Sequence, residues 1–399
     1  MSDAVELTIL MPCLNEAETL ASCIDKAHLG LKRAGVRGEI LVADNGSTDG
    51  SQEIARQHGA RVVPVKERGY GSALRGGVAA AAGQWIIMGD ADDSYDFSNI
   101  DGFVQKFREG CDLVMGCRLP SGGGTIMPGA MPWKNRWIGN PSLSFIGRFF
   151  FKCPARDFHC GLRGFTRSAF AAMDLKTTGM EFASEMAIKA TLKSLRIGEV
   201  PVTLHPDGRS RPPHLKPWRD GWRHLRFMLI YSPRWLFLVP GLVLSLVGLI
   251  ASVALSIRNI QVGPAVFNVG TLSVACMAVI VGFQLVAFAF FTKVFAIAEG
   301  LLPEDPKLAR TFKRFTLEKG ILAGLALLVG GGLLLARAFW VWKQTGYGTL
   351  SPEDNLRRLL PAVTLLILGI QSIFSSFFMS VLGLKTVSRK PPATSDGPG

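Results

Sequence analysis

Four long stretches without a charged side chain dominate the second half of this 399-residue chain. Arg234 and Arg258 bracket 23 such residues, Arg258 and Lys293 bracket 34, Lys319 and Arg337 bracket 17, and Arg358 and Lys385 bracket 26. A bilayer core takes about 20 apolar residues of helix, because a helix satisfies its backbone polar groups within the segment. The pattern therefore predicts an all-α membrane domain over 235–385, with four spans at 236–256, 270–292, 320–342 and 360–383. Arg337 in the third span must snorkel toward the headgroups or face protein. The tail 386–399 reads as disordered from its Pro, Ser and Gly content.

Basic residues set the expected orientation. Arg209, Arg211, Lys216, Arg219, Arg223, Arg226 and Arg234 precede the first span, and Lys307, Arg310, Lys313, Arg314 and Lys319 lie between the second and third. The loop after the first span offers only Arg258. The N-terminal half is thus expected on the cytoplasmic side of an inner or plasma membrane, with the C-terminus there as well. The opening MSDAVELTILMPCLNEAETL has early acids and no basic n-region, so it does not read as a signal peptide. A formal charge of +13 raises nucleic acid as a partner. The basic residues gather beside the spans, however, so an anionic membrane surface is expected and nucleic acid is not. Seven cysteines without a CxxC pair read as reduced and structural.

Residues 1–204 have a different texture. ELTILMP (6–12), EILVAD (39–44), ARVVPV (60–65) and QWIIMGD (84–90) are apolar, β-rich runs separated by helical patterns. That alternation predicts an α/β domain with a Rossmann-like, mostly parallel, doubly wound sheet. Ligands of such sheets bind beyond the carboxyl ends of the strands. Pro12, Asn15 and Glu16 follow the first strand, Asp44 and Asn45 the second, Asp90 and Asp92 the fourth. In DADDSYD, Asp90, Asp92, Asp93 and Asp96 fall within seven positions. Like charges so close repel, so a cation is expected among them, with Asp96 read as a turn or capping residue. Gly69 and Gly71 in RGYGSALRGG are read as letting backbone approach a nucleotide, with plain helix-entry glycines as the alternative. His159 and Cys160 lack a second pair at zinc spacing and read as core or supporting residues.

P-x-x-N-E after the first strand, A-D-N-G-S-T-D-G after the second and D-A-D-D after the fourth resemble inverting family-two glycosyltransferases. DFHCGLRGF (157–165), GMEFASEM (179–186) and PDGRSRPPH (206–214) look like downstream motifs of the polyprenyl-phosphate, dolichol-phosphate type sugar transferases. The resemblance implies a GT-A catalytic domain, a DXD motif binding Mg2+ or Mn2+, a UDP- or GDP-sugar donor and a polyprenyl phosphate acceptor. It implies Asp92 as principal metal ligand, with Asp90 on metal or ribose. Pro12, Asn15, Glu16, Asp44, Asn45, Gly69 and Gly71 fall on the nucleotide-sugar side, and Glu185 falls where the family has a catalytic-site acid. Glu181 lies one helical turn earlier, and which of the two faces the site stays open. Three departures stand out. Asn45 replaces a second acid, Ser94 stands where related chains carry Gln, and Tyr231-Ser-Pro-Arg234-Trp235 lacks the Gln of Q-x-x-R-W. The last departure argues against a processive polysaccharide synthase with a hydroxyl acceptor, which is the alternative reading.

The chemistry fits this list. A departing diphosphate needs its charge neutralised, which a carboxylate-held divalent cation does. A phosphate monoester acceptor, with a second pKa of about 6, is already ionised and needs no base, only cationic holders. Arg118, Arg136, Arg163, Arg209 and Arg211 are the candidates because their forks grip two oxygens. The resemblance favours Arg163 and Arg209, and Arg163 joins Asp92 and Glu185 as an expected catalytic residue. The segment 205–234 is basic and amphipathic, with Trp218, Trp222, Leu225 and Leu229 at helical steps. It is expected to lie in the headgroup layer, with packing against the core as the alternative. Gln284 and Gln371 are weak polar features, so the spans read as an anchor rather than a transport path. The spacing of Gly320 and Gly324 permits helix packing and a homo-oligomer.

Overall fold

The computed structural model describes residues 4–210, 217–299, 302 and 316–387, without the side chains of 217, 218, 220 and 383–387. Arg211, the Trp218 side chain, most of the basic loop before the third span and nearly all of the tail lie outside what is described. The chain forms two compact units, Met1–Ile230 and Tyr231–Gly399.

In the first unit, β1 (Leu7–Cys13), α1 (Leu20–Ala34), β2 (Gly38–Asp44), α2 (Ser51–Gln57), β3 (Arg61–Pro64), α3 (Tyr70–Ala80) and β4 (Trp85–Met88) alternate as the sequence predicts. There follow α4 (Asp101–Arg108), β5 (Leu113–Cys117), β6 (Thr125–Ile126), α5 (Asn140–Phe151), β7 (Arg163–Thr166), α6 (Arg167–Met173), α7 (Phe182–Leu192), β8 (Ile197–Pro201), β9 (Thr203–Leu204) and α8 (Pro217–Ile230). Seven strands pair in the order β3-β2-β1-β4-β7-β5-β8. All pairs are parallel except those of β7, which runs antiparallel to β4 and β5. Helices cover both faces of a parallel sheet, so its strands are apolar throughout rather than alternating. Accordingly every β1 residue except Pro12 is buried. Leu7, Ile9 and Met11 pack with Leu20, Ile24 and Ala27 of α1 in the main core cluster.

The register positions the site. Leu7 pairs with Gly38 and with Trp85, so β2, β1 and β4 lie side by side and their carboxyl ends open on one edge. The small parallel pair β6 and β9, and a bridge from Tyr95 to Leu204, bring the segment after β9 to that edge. The expected juxtamembrane segment does not stand apart, because α8 belongs to the first unit.

The second unit holds α9 (Val239–Ile257), the hairpin β10 (Ile260–Val262) and β11 (Ala265–Phe267), α10 (Val269–Ala298), α11 (Leu317–Gln344) and α12 (Pro352–Val387). Among the described residues, four helical stretches are long and apolar enough to cross a membrane: Arg234–Ile257, Val269–Ala298, Leu317–Gln344 and Pro352–Leu382. Small residues let their backbones approach. A Cβ on Gly248 of α9 would sit 2.8 Å from the Ala275 carbonyl of α10, and one on Gly324 of α11 would sit 2.8 Å from the Gly369 carbonyl of α12. Gly320 likewise meets Ser376 of α12. The glycine pair whose spacing permits helix packing thus serves packing within the chain, between α11 and α12.

Candidate active site

The loops after β1 and β2 are tied together by the residues that the sequence singled out. Asn15, at φ 59°, takes a left-handed turn that asparagine tolerates. Its backbone N–H donates to Ser47 Oγ at 2.9 Å, and its Oδ1 accepts from Thr48 N at 2.8 Å. Buried Asp44 accepts from Gly46 N, Ser47 N and Gln52 Nε2 at 3.1, 3.2 and 2.8 Å. Asn45 donates to the Val65 and Glu67 carbonyls and accepts from Gly69 N at 2.7 Å. Asp44 and Asn45 thus hold the chain's own turns, while Pro12 stays in β1 opposite Ala43.

The four crowded aspartates meet four different fates. Asp93 pairs with Lys26 of α1 at 2.6 Å, and Asp96 accepts from Ser98 N at 2.9 Å, closing a turn. Asp90 accepts from the Tyr70 hydroxyl at 3.0 Å. Asp92 accepts from Ser94 Oγ at 2.5 Å and from Arg209 Nη2 at 2.9 Å. Arg209 also reaches Glu16 Oε1 at 3.1 Å and Asp207 Oδ2 at 3.0 Å, and its buried Nε has no partner. Arg209, expected on the acceptor phosphate, here sits among the carboxylates at the carboxyl edge of β1 and β4. With Asn15, Glu16, Glu18, Thr48 and Asp49 it lines a cleft of about 340 Å³. Burial, and next the charge of Asp92, raise the Asp90 carboxyl from 3.8 to about 7.

Burial corrects three sequence-based expectations. Arg163 is 0% exposed, and its guanidinium donates to the carbonyls of Cys160, Ala183 and Phe158 at 2.7, 2.5 and 3.0 Å. It ties loops together and presents no fork to a phosphate. Arg118 is spent in a bidentate pair with buried Asp157, at 2.7 and 2.9 Å. Glu185 pairs with Lys189 at 2.8 Å and accepts from Lys176 N, Thr177 N and Thr177 Oγ1. Of the two glutamates, Glu181 keeps a buried oxygen, Oε2, with no hydrogen-bond partner. Arg136 is half-buried in the π-turn Asn135–Gly139, its guanidinium 5.5 Å from the Trp137 ring centroid. His159 bonds Ser184 and Cys160 is buried, in keeping with supporting roles.

The glycine loop is a second correction of role. A Cβ on Gly69, at φ 129°, would lie 2.3 Å from the Thr178 carbonyl, and one on Gly71 would lie 2.5 Å from that of Thr177. These glycines admit the 177–178 backbone, and Gly71 N donates to Thr178 O at 2.9 Å. A continuous path results: Glu185 fixes 176–177, that loop fixes the start of α3, and Tyr70 there holds Asp90. Tyr70 was not among the residues picked from sequence, and its one signal is its place between the two loop glycines. Tyr70→Phe is expected to lower kcat/KM about tenfold, the cost of one hydrogen bond to a charged group, with Tm nearly unchanged. Because that hydroxyl holds the Asp90 pKa down, the acidic limb of the pH–rate profile should move upward. An unmoved limb would show that Asp90 and Tyr70 are not coupled.

Asp90 and Asp92 form a two-carboxylate set. No group of three or more His, Cys, Asp or Glu side chains that could hold a metal ion occurs among the described residues. Mg2+ at a diphosphate takes one or two carboxylates, with phosphate oxygens and water completing its shell, so the donor set fits such an ion. A carboxyl raised by its neighbour's charge is also one that a cation would return to the ionised form.

Residues 8–173 match the family model described as Glycosyl transferase family 2, and 290–383 match the Glycosyltransferase family 2 C-terminal transmembrane region. The low-salt glycan biosynthesis hexosyltransferase Agl6 of Haloferax volcanii is 37% identical over 387 residues, covering 95% of this chain and 90% of that protein. The dolichyl-phosphate hexose transferase of the same organism is 29% identical over 201 residues, covering 49% of this chain and 82% of the relative. Among solved structures, glucosyl-3-phosphoglycerate synthase from Mycobacterium tuberculosis, in complex with Mn2+, UDP-glucose and phosphoglyceric acid, aligns with a TM-score of 0.46. That alignment has 23% identity and covers 57% of this chain and 79% of the other. With Agl6 matched across nearly its whole length and the family model on the α/β unit, this chain is a glycosyltransferase of family 2 with a C-terminal transmembrane region.

Proposed function

We propose that this enzyme transfers a hexose or N-acetylhexosamine, with inversion, from a UDP- or GDP-sugar to an undecaprenyl or dolichyl type polyprenyl phosphate at the cytoplasmic membrane face. The observation that supports this reading is the Arg209 cluster: a guanidinium fork, of a geometry suited to phosphate, set among Glu16, Asp92 and Asp207 at the sheet edge where ligands of such folds bind. The name of the dolichyl-phosphate hexose transferase relative supports the acceptor class. The basic residues gathered beside the spans support the orientation.

In this mechanism Asp92 and Asp90 would hold Mg2+ or Mn2+, an ion that would supply positive charge to offset that of the departing diphosphate. The acceptor phosphate oxygen attacks the anomeric carbon as the bond from that carbon to the diphosphate oxygen breaks. The acceptor is ionised near neutrality, so no residue has to remove a proton. Tyr70 orients Asp90, and Ser94 fixes the rotamer of Asp92 through a 2.5 Å hydrogen bond. Arg209 exchanges carboxylates for phosphate oxygens, with Arg136 as a second cation. Arg163, Arg118 and Glu185 support the loops. Arg209→Lys keeps the charge but loses the fork, and is expected to reduce kcat/KM for the lipid acceptor about 10- to 100-fold. A larger change in KM for the sugar nucleotide than for the lipid would place Arg209 on the donor instead. The acceptor assignment is tested by offering polyprenyl phosphate and the matching polyprenol to the detergent-solubilised protein. Only the phosphate should accept sugar. Equal glycosylation of the alcohol would move the enzyme to the hydroxyl-acceptor class.

A further inference from the structure

The motif DFHCGLRGF reaches the site through its first glycine. Residues 157–162 lead from α5 into β7, and their backbone is tied down at each step. Asp157 is gripped by Arg118, the Phe158 and Cys160 carbonyls by Arg163, and the Leu162 carbonyl by Gly116 N at 3.0 Å. Gly161 N donates to the hydroxyl of Tyr95 at 2.9 Å. Tyr95 is itself buried and bridged to Leu204 of β9. This stretch has no slack.

Against that fixed backbone lies the Asp90 carboxylate. Its Oδ1 takes the Tyr70 hydroxyl at 3.0 Å, and its Oδ2 faces Gly161. A Cβ at position 161 would stand 2.6 Å from Oδ2, 3.0 Å from Tyr95 Cε2 and 3.3 Å from the Tyr95 hydroxyl. Close carbon–oxygen contacts run at about 3.3–3.6 Å, so something would have to yield. Gly161 is not at positive φ, so its backbone conformation admits alanine and does not by itself call for glycine. The tethered loop and the buried Tyr95 ring resist, whereas a carboxylate turns about its own side-chain torsions. We propose that Gly161 is a positioning residue: the absence of its side chain leaves the slot in which Asp90, held from the other side by Tyr70, keeps its carboxylate turned to the cation. The proposal rests on the reading of Asp90 and Asp92 as cation ligands. A glycine needed for folding alone would put the whole cost of an added methyl group on stability.

The experiment titrates Mn2+ into the detergent-solubilised full chain with UDP or GDP present, following the signal of free Mn2+ by electron paramagnetic resonance. Melting curves are taken on the same preparations. Gly161→Ala should raise the Kd for Mn2+ about 10- to 100-fold, the usual cost of disturbing a group that orients a metal ligand. Its Tm should stay within about 3 °C of wild type, because the carboxylate gives way and the fold does not. Tyr70→Phe should weaken Mn2+ binding too. The double variant should bind no more weakly than Gly161→Ala alone, since a carboxylate already turned has left the hydroxyl. Wild-type Mn2+ affinity in Gly161→Ala, an early melt, or additive losses in the double variant would each overturn the proposal. Failure of the underlying reading shows elsewhere, in wild type that takes up no Mn2+ with either nucleotide or in Asp92→Ala that binds it as wild type does. Either of those results overturns the cation ligands and the slot together.

Discussion

Asp92→Ala protein is expected to fold normally and to lose sugar transfer by about 10²- to 10³-fold, the cost of removing a preorganised electrostatic contact to a departing group. Asp92 lies at the site edge, bonded to Ser94 and Arg209. Without it, Arg209 still has Glu16 and Asp207, so no buried cation is left stranded. Removing its charge also relieves Asp90, whose carboxyl Asp92 helps to raise. Thermal stability should therefore hold within about 3 °C, while Mn2+ with a nucleoside diphosphate stabilises wild type far more than the variant. Initial rates and melting curves on the same preparations check both halves. A variant that melts early, or one that keeps its rate, contradicts the role given to Asp92.

Glu185→Ala should show the opposite signature. Its carboxylate is buried against Lys189, itself nearly buried, and caps the amides of Lys176 and Thr177. Removing one partner of such a pair costs about 3–5 kcal/mol, because the other charge remains buried and uncompensated. For a unit of this size that is roughly a 10 °C fall in Tm. Burial pushes the Glu185 carboxyl up, but hydrogen bonds from Lys189, Thr177 and the Lys176 amide outweigh it and leave the pKa below the ordinary 4.5. A lowered pKa means that the folded state holds the ionised form more tightly than the unfolded chain does. The stabilisation is therefore present above pH 4.5 and lost as pH falls below it. Wild type should lose Tm through that acidic window, and Glu185→Gln should flatten the dependence. If Glu185→Gln instead keeps its Tm at neutral pH and loses only rate, the carboxylate faces substrate after all.

The contrast between these two acids shows what the sequence could reveal. Strand ends are legible because apolar runs and their terminators are local. Once β2, β1 and β4 are neighbours, Asn15, Asp44 and Asp92 must share an edge. The four spans are legible for the same reason, since the bilayer requires long uncharged runs. Partners distant in sequence are not. Arg118 finds Asp157 39 positions away, and Arg163 is consumed by three backbone carbonyls that no residue type announces. Glu185 and Lys189, four apart on α7, carry a local signal, but four-residue spacing marks exposed and buried pairs alike. Tyr70 escaped notice because its glycine neighbours drew the reading toward a nucleotide, whereas the close approach they allow is to Thr177 and Thr178.

Transfer itself is the most direct test. Purified protein in a bilayer is given undecaprenyl phosphate, Mg2+ or Mn2+ and a panel of radiolabelled UDP- and GDP-sugars, and the lipid phase is extracted. Label from one donor should enter the lipid phase, disappear on chelation, and fall about 10²- to 10³-fold with Asp92→Ala. Label that stays in intact nucleotide, or that enters a polymer instead of lipid, would contradict polyprenyl phosphate as the acceptor.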